Sequence, residues 1–327
     1  MRRRALIAVL CGAAAFPLAG HAQPVAKVPR VGWLSPGSAT SDEAFLRSFH
    51  EGLRELGWNP GRNIAIEPRW AEGKFERLPE LAAELVALKV DLIVASVTQA
   101  SLAAKRATAT IPIVMVGVGD PLGSGLVDSL ARPSGNVTGP SSMLAEASRK
   151  QLALLKDAVP QVSVVAVLWN PANPVWQAAA LRETEVAANA MGLRLQLVEA
   201  RGPEEFERAF ATITRERAGA LFVPADIIFV RHAEQMADLA TKHRLPTMFG
   251  FREHVQAGGL MSYAASFTVM FRRAAAFVDK LLKGAKPSDL PVEQPTRFEM
   301  VINLKTARTL GISIPQAVLQ LADEVIQ

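Results

Sequence analysis

The chain has 327 residues, half of them apolar and a fifth charged, which is enough for two domains of ordinary size and excludes a disordered or fibrous class. Its formal charge is +5, from 36 Lys and Arg against 31 Asp and Glu. Arg2, Arg3 and Arg4 head the chain, and without them the balance is nearly neutral, so there is no general electrostatic case for a nucleic-acid partner.

Arg2 to Arg4, the apolar run Ala5 to Leu18 and the small residues Gly20 and Ala22 together read as an export leader over residues 1–22, cut before Gln23. The run is shorter than the roughly 20 residues that a membrane span requires. The expectation is a periplasmic protein exported by the general secretory route rather than the twin-arginine route. Cys11, the single cysteine, falls inside this leader, so the remaining chain has no disulfide and relies on its core.

Short apolar runs then alternate with helix-period segments, the pattern of βαβ units and a parallel sheet. Strands are predicted over 30–34, 64–70, 90–95, 111–118 and 136–139. Helices are predicted from Ser41 to Gly57 with Ser41 as cap, from Pro79 to Leu88, over Ser101 to Ala107 and over Gly123 to Leu130. A second series follows, with helices over 146–159, 174–192, 203–217 and 230–243. Its strands fall at 162–169, 193–199, 220–223 and 246–249, and Gly258 to Tyr263 turns into a last one. A helix over 267–283 and a tail from Leu290 complete the chain. The fold class implied is α/β, with two doubly wound parallel-sheet lobes. Ligands of such sheets bind beyond the carboxyl ends of the strands, here in a cleft between the lobes.

The loops at those strand ends carry small polar groups ahead of helices. They are Ser35 and Gly37, Thr98 and Gln99, Asp120, Asn170 and Asn173, and Asp226. Helix N-termini attract a carboxylate, and a lone Asp pairs with an ammonium. Taken singly, each group is better explained as a cap or a turn, and only together in a two-lobe chain do they point to a site. Trp33, Trp169, Phe229 and Tyr263 fall near strand ends and suit either stacking on a ligand or ordinary packing. Gly117 to Gly123 looks like a dinucleotide fingerprint, but Leu122 stands where the third glycine belongs and Pro121 removes an amide, so a tight turn is the better reading. His50, His232, His243 and His254 lack metal spacing. No cofactor and no nucleophile elbow is expected.

Several segments together resemble the periplasmic substrate-binding proteins of ABC transporters, in the subgroup related to tryptophan/tyrosine-type components. They include Phe49 to Gly57, Ile111 to Val114, Asp120-Pro121, Gly135 to Gly139, Gly258 to Tyr263, Leu281 to Pro287 and Ile302 to Ala307. The resemblance implies a type I two-lobe fold whose ligand lies between the lobes. It implies Thr98 and its neighbours on a carboxylate, Asp226 at the acidic position of the second lobe, and Tyr263 at the crossover strand. Val97-Thr98-Gln99 stands where Gly-Thr-Pro is usual.

The expected lobes are residues 27–142 with about 264–290, and residues 143–263 with about 291–327. The expected function is capture of an amino acid or other small carboxylate, aromatic ones included, by hinge closure. The resemblance makes the partners an inner-membrane permease and its ATPase, with the binding protein itself monomeric. Two alternatives stand beside it. One is a secreted hydrolase or isomerase using Asp120 and Asp226 as acid and base. The other is a ligand sensor for a membrane receptor.

Overall fold

A computed structural model describes residues 28–171 and 174–327; the expected leader and Asn173 lie outside the described residues. The first series forms β1 (Arg30–Ser35), α1 (Glu43–Glu55), β2 (Ala65–Trp70), α2 (Leu78–Ala87), β3 (Leu92–Ser96), α3 (Val97–Ala107), β4 (Ile113–Val116) and β5 (Val137–Thr138). These strands make one parallel sheet in the order β2-β1-β3-β4-β5. β1, β3 and β4 are almost wholly buried, because helices cover both of their faces.

The second series forms α4 (Leu144–Ala158), β6 (Val164–Trp169), α5 (Pro174–Ala190), β7 (Arg194–Glu199), α6 (Pro203–Arg215), β8 (Ala220–Val223), α7 (Ile227–Arg231), α8 (Ala233–Lys242), β9 (Thr247–Phe249), α9 (Arg252–Gln256) and β10 (Met261–Ala264). The long helix α10 (Phe267–Leu282) then returns to the first sheet and packs along α1. The tail goes back to the second sheet as β11 (Glu299–Asn303), α11 (Leu304–Leu310), α12 (Gln316–Leu319) and β12 (Glu324–Ile326). The second sheet has the order β12-β11-β10-β9-β8-β6-β7, parallel except for the β10–β11 pair.

The contact of α1 with α10 follows from sequence spacing. Phe45, Phe49, Gly52 and Leu53 recur at helical period and are buried together. Gly52 lets the two backbones meet, since a Cβ there would sit 2.5 Å from the Arg272 carbonyl oxygen. Phe271 of α10 then stacks on Trp33 at 5.0 Å and on Phe45 at 5.1 Å.

Three segments join the lobes. The segment after β5 and the one before β11 are tied by the Ser141 amide donating to the Glu293 carbonyl (2.8 Å) and the Glu293 amide donating to the Gly139 carbonyl (3.1 Å). Arg273 of α10 binds the Glu293 carboxylate through two bonds of 2.8 Å, which links the third segment to them.

Four local expectations are corrected. Residues 123–130 are turns rather than a helix: the Asp120 carboxylate accepts from the Gly123 amide, Leu126 and Val127 both donate to the Pro121 carbonyl, and Gly125 has a φ of +68°. The helix expected over 230–243 is two helices, broken at His232, where φ is −115°. α3 starts at Val97, straight from the strand, four residues earlier than expected. Ser41 is not the cap of α1; Asp42 holds that position, and the Ser41 hydroxyl instead accepts from the Ser38 amide at 2.8 Å.

Candidate functional site

The carboxyl ends of both sheets open on the seam between the lobes. An inner cavity of about 30 Å³ lies there, lined from the first lobe by Val97, Thr98, Gln99, Gly117, Gly119 and Phe267 and from the second by Ala225, Asp226, Ile227 and Phe251. That is room for one or two waters. Ile227 also lines a second, outer chamber of about 230 Å³, together with Ser41, Ala44 and Phe45 of the first lobe and Val230, Arg231 and Glu253 of the second.

The walls are apolar. Phe251 and Phe267 meet across the seam with ring centroids 5.0 Å apart. One buried cluster contains Phe45, Phe267 and Phe271 of the first lobe together with Ala179, Ala180, Ala225 and Phe251 of the second, so the lobes pack against each other through apolar contact. At the outer edge Arg231 comes up to the Gly73 loop, where a Cβ would lie 2.7 Å from its guanidinium.

The polar groups enter from opposite sides. On one side α3 presents its N-terminus at Thr98 and Gln99, where the helix dipole places partial positive charge. On the other, Asp226 is buried at the start of α7. Its carboxylate caps that helix by accepting from the Ile228 amide at 2.8 Å, and the Asn170 amide group donates to it at 3.3 Å. A carboxylate has about four lone-pair sites, so capping and ligand binding are compatible.

The remaining predicted residues are placed differently. Ser35 and Gly37 belong to a closed loop around Asp42: the Ser35 hydroxyl accepts from the Gly37 amide at 3.0 Å, and Asp42 accepts from the Trp33 indole at 3.3 Å. Burial raises the Asp42 pKa, and hydrogen bonds from Ser35 and Trp33 offset part of the rise. The Asp120 carboxylate folds back on the Gly123 amide, and Asp120 is not among the residues that line the inner cavity. Tyr263 does not face the seam either. Alternate strand residues face opposite sides of a sheet, so Ser262 and Ala264 look toward α9 and α10, whereas Tyr263 stacks on Phe298 at 5.3 Å. Burial and the nearby Asp323 raise its pKa. Trp33 and Phe229 are core residues.

Sequence reasoning missed Val97, Ile227, Phe251 and Phe267. Phe267 directly follows the capping Ser266, whose hydroxyl accepts from the Val269 amide, and that cap was a usable signal. Phe251 carried none, because α9 was not predicted. Glu253, in the outer chamber, has a pKa raised by burial; Arg252 opposes the rise and Glu299 adds to it. Among the described residues no three His, Cys, Asp or Glu side chains gather as a metal set, and no helix is long and apolar enough to cross a membrane.

Residues 37–326 match the sequence family described as ABC transporter substrate binding protein. A tyrosine-binding protein of Clostridioides difficile (strain R20291) is 28% identical over 268 residues, which is 81% of this chain and 76% of that protein. The structure of a Streptococcus pneumoniae ABC domain in complex with L-Trp superposes with a TM-score of 0.85 at 28% identity, over 91% of this chain and 99% of that one. A ligand-free, open substrate binding protein with adhesive properties from Clostridium difficile superposes with a TM-score of only 0.68 at 24% identity, over 92% and 100%.

Proposed function

Since the chain belongs to the ABC transporter substrate binding protein family, a family of binding proteins and not enzymes, we propose that it holds an amino acid or closely related small carboxylate in the seam between its lobes. The observation that carries this reading is the pairing of opposite poles across one small cavity. The N-terminus of α3 suits a carboxylate, and Asp226 suits an ammonium. A zwitterion meets both poles with opposite charge, whereas a neutral sugar meets each with hydroxyl hydrogen bonds alone.

Binding works by hinge closure, as periplasmic binding proteins generally do. Ligand contacts made to both lobes exist only in the closed form, and that difference alone drives closure. The higher overlap with the L-Trp complex than with the open structure supports a closed arrangement here. A micromolar ligand supplies about −8 kcal/mol in total. The protein acts outside the cytoplasm as a monomer and delivers its ligand to a membrane permease driven by an ATPase. The enzyme alternative lacks a second carboxylate at the inner cavity, because Asp226 lines it and Asp120 does not.

Thermal unfolding of the chain from Gln23 onward, with the common L-amino acids, sugars and nucleosides each added, tests the reading. At a hundredfold excess over Kd a true ligand stabilises the fold by about 2.7 kcal/mol, a plain upward shift in Tm. A shift with a neutral sugar or nucleoside, and none with any amino acid or carboxylate, would overturn it.

A further inference from the structure

Six described residues other than glycine have a positive φ: Glu72, Lys89, Val97, Met143, Arg217 and Arg244. Lys89, Arg217 and Arg244 lie just past the ends of α2, α6 and α8, where a left-handed residue commonly terminates a helix. Glu72 sits in a loop pinned by its amide to the Gly37 carbonyl, and Met143 precedes α4 in a connecting segment. Val97 is unlike these. It is the one β-branched residue in the set, with φ at +57°, and it lines the inner cavity. A branched Cβ makes this backbone conformation unfavourable, and glycine would adopt it freely. The isopropyl group therefore stands where the backbone argues against it.

Its surroundings show what that group does. Val97 is half-buried and packs on the apolar cluster that contains Phe251, Phe267 and Ala225, and it shares the cavity wall with Thr98, Gln99 and Asp226. The space left between these groups is about 30 Å³, less than any amino acid fills, so the lobes must part around a ligand and the bulk of each wall group sets how large a side chain the seam then takes. We propose that Val97 is the specificity-determining residue of the seam: its side chain limits the ligand to an amino acid with a small side chain and excludes the aromatic ones. This inference rests on the amino-acid reading above and sharpens it. Strain at a binding site persists where the surrounding structure and the function hold it in place. Here it holds a methyl-bearing carbon directly at the α3 terminus that receives the carboxylate, where it crowds any side chain leaving the ligand's α-carbon on that side.

The test is titration calorimetry of the protein from Gln23 onward and of two variants, Val97→Gly and Val97→Ala, with L-Ala, L-Ser, L-Val, L-Phe, L-Tyr and L-Trp as probes. Val97→Ala keeps a Cβ and removes only the two methyls, so it separates space from backbone relief. The unaltered protein is expected to prefer one of the three small amino acids. A single methylene in an apolar pocket changes selectivity about 10- to 200-fold, and both variants should gain affinity for the aromatic three by a factor in that range. Tight binding of an aromatic amino acid by the unaltered protein overturns the inference even if neither variant folds. So does an unchanged order of preference in both variants. Should none of the six bind any of the three proteins, while a sugar or nucleoside does, the amino-acid reading itself has failed and takes this inference with it.

Discussion

His254 should give the protein a measurable sensitivity to mild acid. Its ring is 1% exposed and lies parallel to Phe249, with centroids 4.5 Å apart and planes 10° from each other. Burial lowers its pKa from 6.5 to about 4. The unfolded chain therefore binds a proton that the folded one refuses, and stability falls as pH drops from the unfolded value toward the folded one. Linkage over that interval gives a loss of about 2 kcal/mol between about pH 7.5 and about pH 5. Asp42 and Glu253 act in the opposite sense, because their raised pKa values make protonation easier in the folded state, so stability from these groups grows as pH falls. Urea unfolding followed by circular dichroism at both pH values, on the unaltered protein and on His254→Leu, separates the two. The variant should lose about 2 kcal/mol less across the interval, whatever its baseline stability. Equal losses in both proteins would refute the argument that burial of this imidazole governs the acid side of the profile.

Three further outcomes follow from the packing and the seam. Gly52→Ala pushes a methyl onto the Arg272 carbonyl oxygen between α1 and α10, and it should cost about 1–3 kcal/mol in chemical denaturation. Asp226→Asn retains an oxygen that caps α7 but removes the negative charge, so Tm should change little while affinity for the ligand falls about tenfold or more, the weight of one charge-assisted hydrogen bond. Arg231→Ala removes the contact at the edge of the seam with the Gly73 loop; solution scattering should show a larger radius of gyration without ligand and the same compact form at saturation.

The two-lobe architecture was legible because buried parallel strands are nearly continuous runs of branched residues. Val90 to Ala95 and Val162 to Trp169 announced β3 and β6, and each was followed by a helical period. The amphipathic stripe of α1 was equally plain. Residues 123–130 misled because their apolar spacing is helical, yet Pro121, Gly123 and Gly125 favour consecutive turns, and the Asp120 carboxylate closes the first of them. The antiparallel return of β11 could not be read, since it depends on where three connecting segments place the tail relative to β10.

At the site, the polar half was legible and the apolar half was not. Thr98, Gln99 and Asp226 fall where a strand gives way to a helix, and that position alone brings them to the seam. Phe251 and Ile227 look like any other core residues in sequence; only the approach of two separate sheets makes them cavity walls. Tyr263 shows the reverse failure. Its position beside a crossover was right in sequence, but strand alternation turns its ring to Phe298, on the other face. Val97 was visible as a residue and invisible as a constraint, because φ is not written in the sequence.

The central claim is that one zwitterion bridges the α3 terminus and Asp226 with both lobes shut around it. A crystal structure grown from protein saturated with the amino acid that shifts Tm most is the most direct measurement. The account predicts a single bound molecule in the seam, its carboxylate at the amides of Thr98 and Gln99 and its amine within hydrogen-bond reach of Asp226. A ligand seated elsewhere, or one bound in the seam with its carboxylate facing Asp226, would contradict it.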